Sequence, residues 1–179
     1  MQKLEVDTLR LATSFFKTND SKNLFESYTG RIAESQYLAR LPHSSVAETL
    51  LKLSEWSNPQ SWVEHNRVIL VIEDKKNRQA IGQLTLFNKP QHLEFHFGIS
   101  HDYSGQGYVS ELLAGLVESE LANNNRLMTY CDCNHKAAQR VLEKVGFQST
   151  GLLKRHYQNP NKGNQWVDCF SYQWRKEEK

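Results

Sequence analysis

His92-Leu93-Glu94-Phe95-His96-Phe97-Gly98-Ile99-Ser100-His101-Asp102-Tyr103-Ser104-Gly105-Gln106-Gly107-Tyr108-Val109 carries three structural instructions in succession. The first eight residues alternate, with Leu93, Phe95, Phe97 and Ile99 on one face and His92, Glu94, His96 and Gly98 on the other, which is the period of a strand. Ser100 to Ser104 supplies polar turn formers. Gly105 and Gly107 then sit where a backbone must turn sharply and expose its N–H groups. Val109, Leu112, Leu113, Leu116, Val117 and Leu121 follow at the spacing of one buried helical stripe. A glycine loop running from a strand into a helix N-terminus leaves several amides without intrahelical partners, backed by the positive end of the helix dipole. Such a turn is built to hold a phosphate.

Two common phosphate loops do not match. A P-loop needs Gly-Lys-Ser/Thr at the close of the turn, and Gly107 is followed by Tyr108 and Val109. A dinucleotide fingerprint needs a third glycine where Ser110 stands. Downstream, Ala138, Val141, Leu142 and Val145 form a second helical stripe, and Gly146 suits the left-handed residue that ends a helix.

These two stretches resemble the two signatures of the GNAT family of N-acetyltransferases. Asp102-Tyr103-Ser104-Gly105-Gln106-Gly107 matches R/Q-x-x-G-x-G/A except at its first position, where Asp102 replaces Arg or Gln. The helix closed by Gly146-Phe147 matches the second signature, with His135 and Ala138 where the family has Asn and Ser, and Asn134 one residue early. The likeness runs from Thr8 to Trp174 and is greatest to the branch that acetylates ribosomal-protein N-termini, the RimJ/RimL-like enzymes.

The resemblance implies a single α/β domain over residues 1–179, with a mixed, mostly antiparallel sheet, helices on both faces, and one parallel pair of strands that splay apart. That pair would be His92–Ile99 and Arg126–Cys133. It further implies acetyl-coenzyme A as co-substrate and an amine as acceptor. The pantetheine arm would lie along Phe97, Gly98 and Ile99, and the pyrophosphate on Ser104, Gly105, Gln106, Gly107, Tyr108 and Val109. Asn134, His135 and Arg140 would contribute from the second signature. For chemistry it implies Glu94 as general base, with His96 in reserve, and Tyr157 as the acid that protonates the departing sulfur. A non-catalytic acyl-coenzyme A binding module is the alternative, because the second signature lacks its Asn and Ser.

The remaining elements follow from pattern. Thr8 to Leu11 reads as a first strand, and Ser21–Tyr28 and Ser44–Trp56 as helices, the latter with Ser45 and Glu48 at capping-box spacing. Val68 to Ile72 is apolar on both faces, as a central strand must be, and Asp74 to Asn77 turns it into Ala80–Phe87. Phe147–His156 and Trp166–Trp174 close the sheet around a polar tip at Asn159–Asn164. Trp56 and Trp62 flank a proline-containing loop and are expected to pack, with a second role at the acceptor pocket.

Composition narrows the function further. Of 179 residues 39% are hydrophobic and 23% charged, enough for one buried core without disulfide staples. A net charge of +2 with scattered Lys and Arg argues against nucleic acid as the main ligand. No apolar run reaches membrane length, and nothing at the start resembles a signal peptide, so the expectation is a cytoplasmic monomer or homodimer with no membrane partner. Cys131, Cys133 and His135 could share a strand face, yet a structural zinc site wants four ligands and Cys169 stands alone, so no metal is expected.

Overall fold

The computed structural model describes residues 3–123 and 125–175. Seven strands form one sheet in the order β1-β2-β3-β4-β5-β7-β6. They are β1 (Leu11–Ser14), β2 (Arg67–Asp74), β3 (Gln79–Lys89), β4 (His92–Ile99), β5 (Leu127–Asp132), β6 (Gln148–Asn159) and β7 (Gln165–Trp174). Every neighbouring pair is antiparallel except β4 and β5. That exception is what the sequence order demands: a strand, a helix and a strand on the same sheet return the chain in its original direction.

Helices cover both faces. On one, α5 (Tyr108–Glu118), α6 (Glu120–Asn123) and α7 (Lys136–Val145) bury Leu112, Leu113, Leu116, Leu121 and Leu142 against Val68, Leu70, Ile72, Leu84, Leu93 and Phe95. On the other, α1 (Ser21–Leu24, extended by a wide turn to Thr29) and α3 (Val46–Trp56) bury Leu24 and Leu53 against Ile69, Val71 and Ala80. Strand β2 thus sends alternate residues into two cores, which explains why its sequence is apolar throughout. Short α2 (Ile32–Ser35) and α4 (Pro59–His65) complete the set.

Three expectations need adjustment. Thr8 to Leu11 is a tight turn, closed by Thr8 N–H on the Leu11 carbonyl at 2.8 Å, and the first strand begins where that turn ends. The proline loop is helix α4: Asn58 accepts from the Ser61 amide at 2.9 Å and Pro59 occupies the first turn. The long stripe past the glycine loop breaks at Ser119, whose extended backbone separates α5 from α6. The α3 cap forms as expected at Ser45, but Glu48 turns back to Ser44, taking both its amide and its hydroxyl at 2.7 Å.

Candidate active site

β4 and β5 pair at only two positions, Leu93 with Leu127 and Glu94 with Met128, and then part. Leu93 N–H still reaches the Arg126 carbonyl at 2.9 Å. Alternation puts the N–H groups of Phe97 and Ile99 on that same edge of β4, beyond the Glu94–Met128 pairing that takes the N–H of Phe95. The next odd amide, His101, is taken by Glu34 at 3.0 Å. The result is a short row of strand donors facing a gap, bounded below by Arg126 and above by Glu34.

The glycine loop stands at the open end of this gap. Gly105 and Gly107 have φ of 73° and 79°, the left-handed region that glycine adopts freely. Gly107 is the N-cap of α5, and Glu111 is the first residue to bond back, at 3.0 Å to the Gly107 carbonyl. The amides of Tyr108, Val109 and Ser110 therefore precede the helical ladder. A β-carbon on Gly105 would meet nothing within 4 Å, so the turn has open space in front of it. Unpaired strand donors leading to an open helix N-terminus fit an extended amide chain ending in phosphate.

The loop is braced from behind. Glu111 receives the Thr8 hydroxyl and the Arg10 amide, both at 2.7 Å, and forms an ion pair with Arg10 Nε at 2.6 Å. Burial raises the Glu111 carboxyl, and these donors outweigh it, leaving the group below the usual carboxylate range. Arg10 also donates to the Gln106 carbonyl at 3.0 Å and lies over the Tyr108 ring at 4.2 Å.

On the face opposite α5, β4 and β5 carry a cluster of polar rings. Glu94 Oε1 lies 3.2 Å from His96 Nε2, and that hydrogen bond holds the carboxyl below its ordinary range despite partial burial. The His96 ring packs edge-on to Tyr130 at 4.5 Å, and Tyr130 packs against His156 at 4.2 Å. Burial, with Glu94 nearby, pushes the Tyr130 hydroxyl up to about 12. Burial likewise lowers His156. Tyr130 was within reach of sequence reasoning, since alternation along β5 puts it on this face. His156 was not, because a register shift between Leu153 and Tyr157 and a left-handed Arg155 (φ 48°) re-aim that part of β6.

The other anticipated residues are spread around this centre. Tyr157 donates its hydroxyl to the Tyr37 carbonyl at 2.9 Å, and burial raises its pKa. His135 caps the start of α7 and stacks on Tyr37 with ring centres 4.1 Å apart. Asn134 gives its amide to Asp132 at 2.8 Å, and Arg140 is exposed one turn into α7. At Gly98 the close approach is made by Tyr28, whose hydroxyl would lie 2.1 Å from a β-carbon there. Trp56 packs under Arg67 at 4.4 Å and Trp62 against the larger core. Cys131, Cys133 and Cys169 are free thiols, and burial pushes Cys131 and Cys169 up to about 12. Among the described residues no three His, Cys, Asp or Glu side chains are grouped as metal ligands, and no helix is long and apolar enough to cross a membrane.

An open mixed sheet whose one parallel pair parts at a helix N-terminus is the architecture of the GNAT fold. Residues 10–148 match the family model described as Acetyltransferase (GNAT) domain, and the chain belongs to the GNAT acetyltransferase family. It is 25% identical over 173 residues to the uncharacterized N-acetyltransferase YnaD of Bacillus subtilis (strain 168), covering 94% of this chain and 95% of that one. Its fold superposes on a GNAT-family acetyltransferase from Bacillus anthracis with a TM-score of 0.82 at 18% identity, covering 98% and 100% of the two chains. It superposes on RimL, a ribosomal L7/L12 α-N-protein acetyltransferase in complex with coenzyme A, with a TM-score of 0.79 at 16% identity, covering 95% and 97%.

Proposed function

We propose that this protein transfers an acetyl group from acetyl-coenzyme A to a primary amine, on a protein N-terminus or a small molecule, by direct attack. The observation that carries the proposal is the two-residue pairing of β4 with β5 followed by a gap that leads to the open end of α5. Coenzyme A in the RimL neighbour supports the same ligand here. Phe97 and Ile99 would hold the pantetheine arm through their N–H groups, and the Ser104–Val109 turn would hold the diphosphate. Acetyl-coenzyme A supplies an activated carbonyl whose sulfur departs as a thiolate.

The chain supplies the proton handling. Attack requires a neutral amine, whose nitrogen bonds to the carbonyl carbon as the carbon–sulfur bond breaks; the surplus N–H proton must then leave. His96 takes that proton, and Glu94, bonded to it and ionised through the neutral range, orients the ring. Tyr130, on β5 itself, remains protonated and contacts His96. It is better placed to protonate the thiolate than Tyr157, whose proton is committed to Tyr37.

An α-amine has a pKa of about 7.7–8.0 against roughly 10.4 for lysine, so a pair of modest basicity suits the α-amine. Release of free thiol should be faster with peptides bearing a free, small N-terminal residue than with the same peptides blocked there but carrying lysine. Glu94→Gln should lower turnover most at acidic pH, where little amine is neutral. Preference for the blocked peptide would overturn the acceptor assignment. Thermal stabilisation by acetyl-coenzyme A with no turnover on any amine would instead identify a binding module.

A further inference from the structure

The segment from Arg31 to Arg40 crosses the mouth of the gap and is fastened on both sides of it. At one end Glu34 takes the His101 amide at 3.0 Å, just past β4. At the other, Tyr37 stacks on His135, just past β5, and Asn161 at the β6–β7 tip donates to the carbonyls of Ser35 and Arg40, each at 2.8 Å. Arg31 lies at the β4 end of this strap, beside the glycine loop. Its Nε pairs with Glu34 at 3.3 Å and its Nη1 with Asp102 at 3.1 Å. Among the described residues Nη2 makes no hydrogen bond. The loop folds directly onto Asp102, with Gln106 Nε2 donating to the Asp102 carbonyl at 3.0 Å.

The two carboxylates holding Arg31 are unlike. The Glu34 side chain is 2% exposed and that of Asp102 is 64% exposed. Losing its cation would leave Glu34 a buried and underpaired charge, whereas Asp102 would simply be solvated. Arg31 is therefore tethered firmly through Nε and weakly through Nη1, and the outer edge of its guanidinium, Nη1 and Nη2, is the fork that engages a phosphate in bidentate fashion. The loop itself has open amides but no cationic side chain between Ser104 and Val109.

We infer that Arg31 is a ligand for the cofactor's diphosphate, and that Asp102 is a placeholder that surrenders Nη1 when the diphosphate arrives. The inference rests on the acetyl-coenzyme A reading of the site. It makes the strap part of the cofactor site, so that filling the loop also fixes the segment that roofs the gap.

Titration calorimetry with coenzyme A and with pantetheine, which shares the arm but lacks the diphosphate, tests this. Arg31→Gln should weaken coenzyme A by on the order of tenfold, the scale of one charged contact, while leaving pantetheine unchanged. Asp102→Asn should strengthen coenzyme A, because it removes the competitor and keeps the fold. Arg31→Lys, which preserves the charge but not the fork, should recover part of the loss. Equal weakening of both ligands by Arg31→Gln would make Arg31 merely a brace for the strap, and unchanged coenzyme A affinity, or weakening by Asp102→Asn, would also overturn the inference. If the unaltered protein bound neither ligand, the acetyl-transfer reading would fall as well, and that outcome is distinct from the others.

Discussion

Gly98 shows how one residue can answer to a neighbour that its own stretch of sequence does not name. A glycine inside a strand marks a close approach, and in an acyl-coenzyme A site the obvious visitor is the ligand. The visitor in the structure is Tyr28, a fully buried phenol from the turn that extends α1, whose burial raises its pKa. Nothing in the local sequence could disclose this, because the contact joins positions seventy residues apart through tertiary packing. Gly98→Ala should destabilise the fold by about 1–3 kcal/mol, the usual range for overpacking, as judged by chemical denaturation. Adding Tyr28→Phe should restore part of that loss, since it removes the atom nearest the new methyl group. A Gly98→Ala variant as stable as the unaltered protein would mean that Tyr28 moves freely.

The elements most legible in the sequence are those whose own residues determine them. β4 spans His92–Ile99 as its alternation requires, and α7 ends at Gly146 in the left-handed conformation, φ 97°. The first strand was displaced because its beginning is determined from a distance. Thr8 and Arg10 look like alternate strand residues, yet both turn to Glu111 in α5, about a hundred positions away. That link ties the turn before β1 to the first helical turn behind the glycine loop. Arg10→Ala should therefore weaken coenzyme A binding while leaving the melting temperature within a few degrees of the original, because the pair is only partly buried and Glu111 keeps the Thr8 hydroxyl and the backbone amide at position 10. Calorimetry alongside a thermal melt checks both halves. A large fall in melting temperature with unchanged affinity would show that the link serves the fold and not the loop.

Across the whole molecule, the sheet and its gap follow from the order of elements, but the closure over the gap does not. Sequence order forces one parallel pair, and helices α5 and α7 then both present their N-termini at its open end. The strap that spans this end comes from residues 31–40, and its far anchor is the β6–β7 tip, more than a hundred residues away. Polar contacts join them, and polar contacts leave no periodic trace in a sequence. Lys162 in the tip reaches Asp132 of β5 at 2.7 Å and sits over the strap's Tyr37 ring at 4.8 Å. The Asp132 side chain is fully buried, so it depends on Lys162 for charge compensation. Lys162→Met should cost about 3–5 kcal/mol, the penalty for stranding a buried carboxylate. Combining it with Asp132→Asn should return most of that loss, because the stranded charge is gone and Asn keeps an oxygen for the Asn134 amide. Additive losses in the double variant, measured by denaturant unfolding, would show that the tip is held to β5 by packing and not by this ion pair.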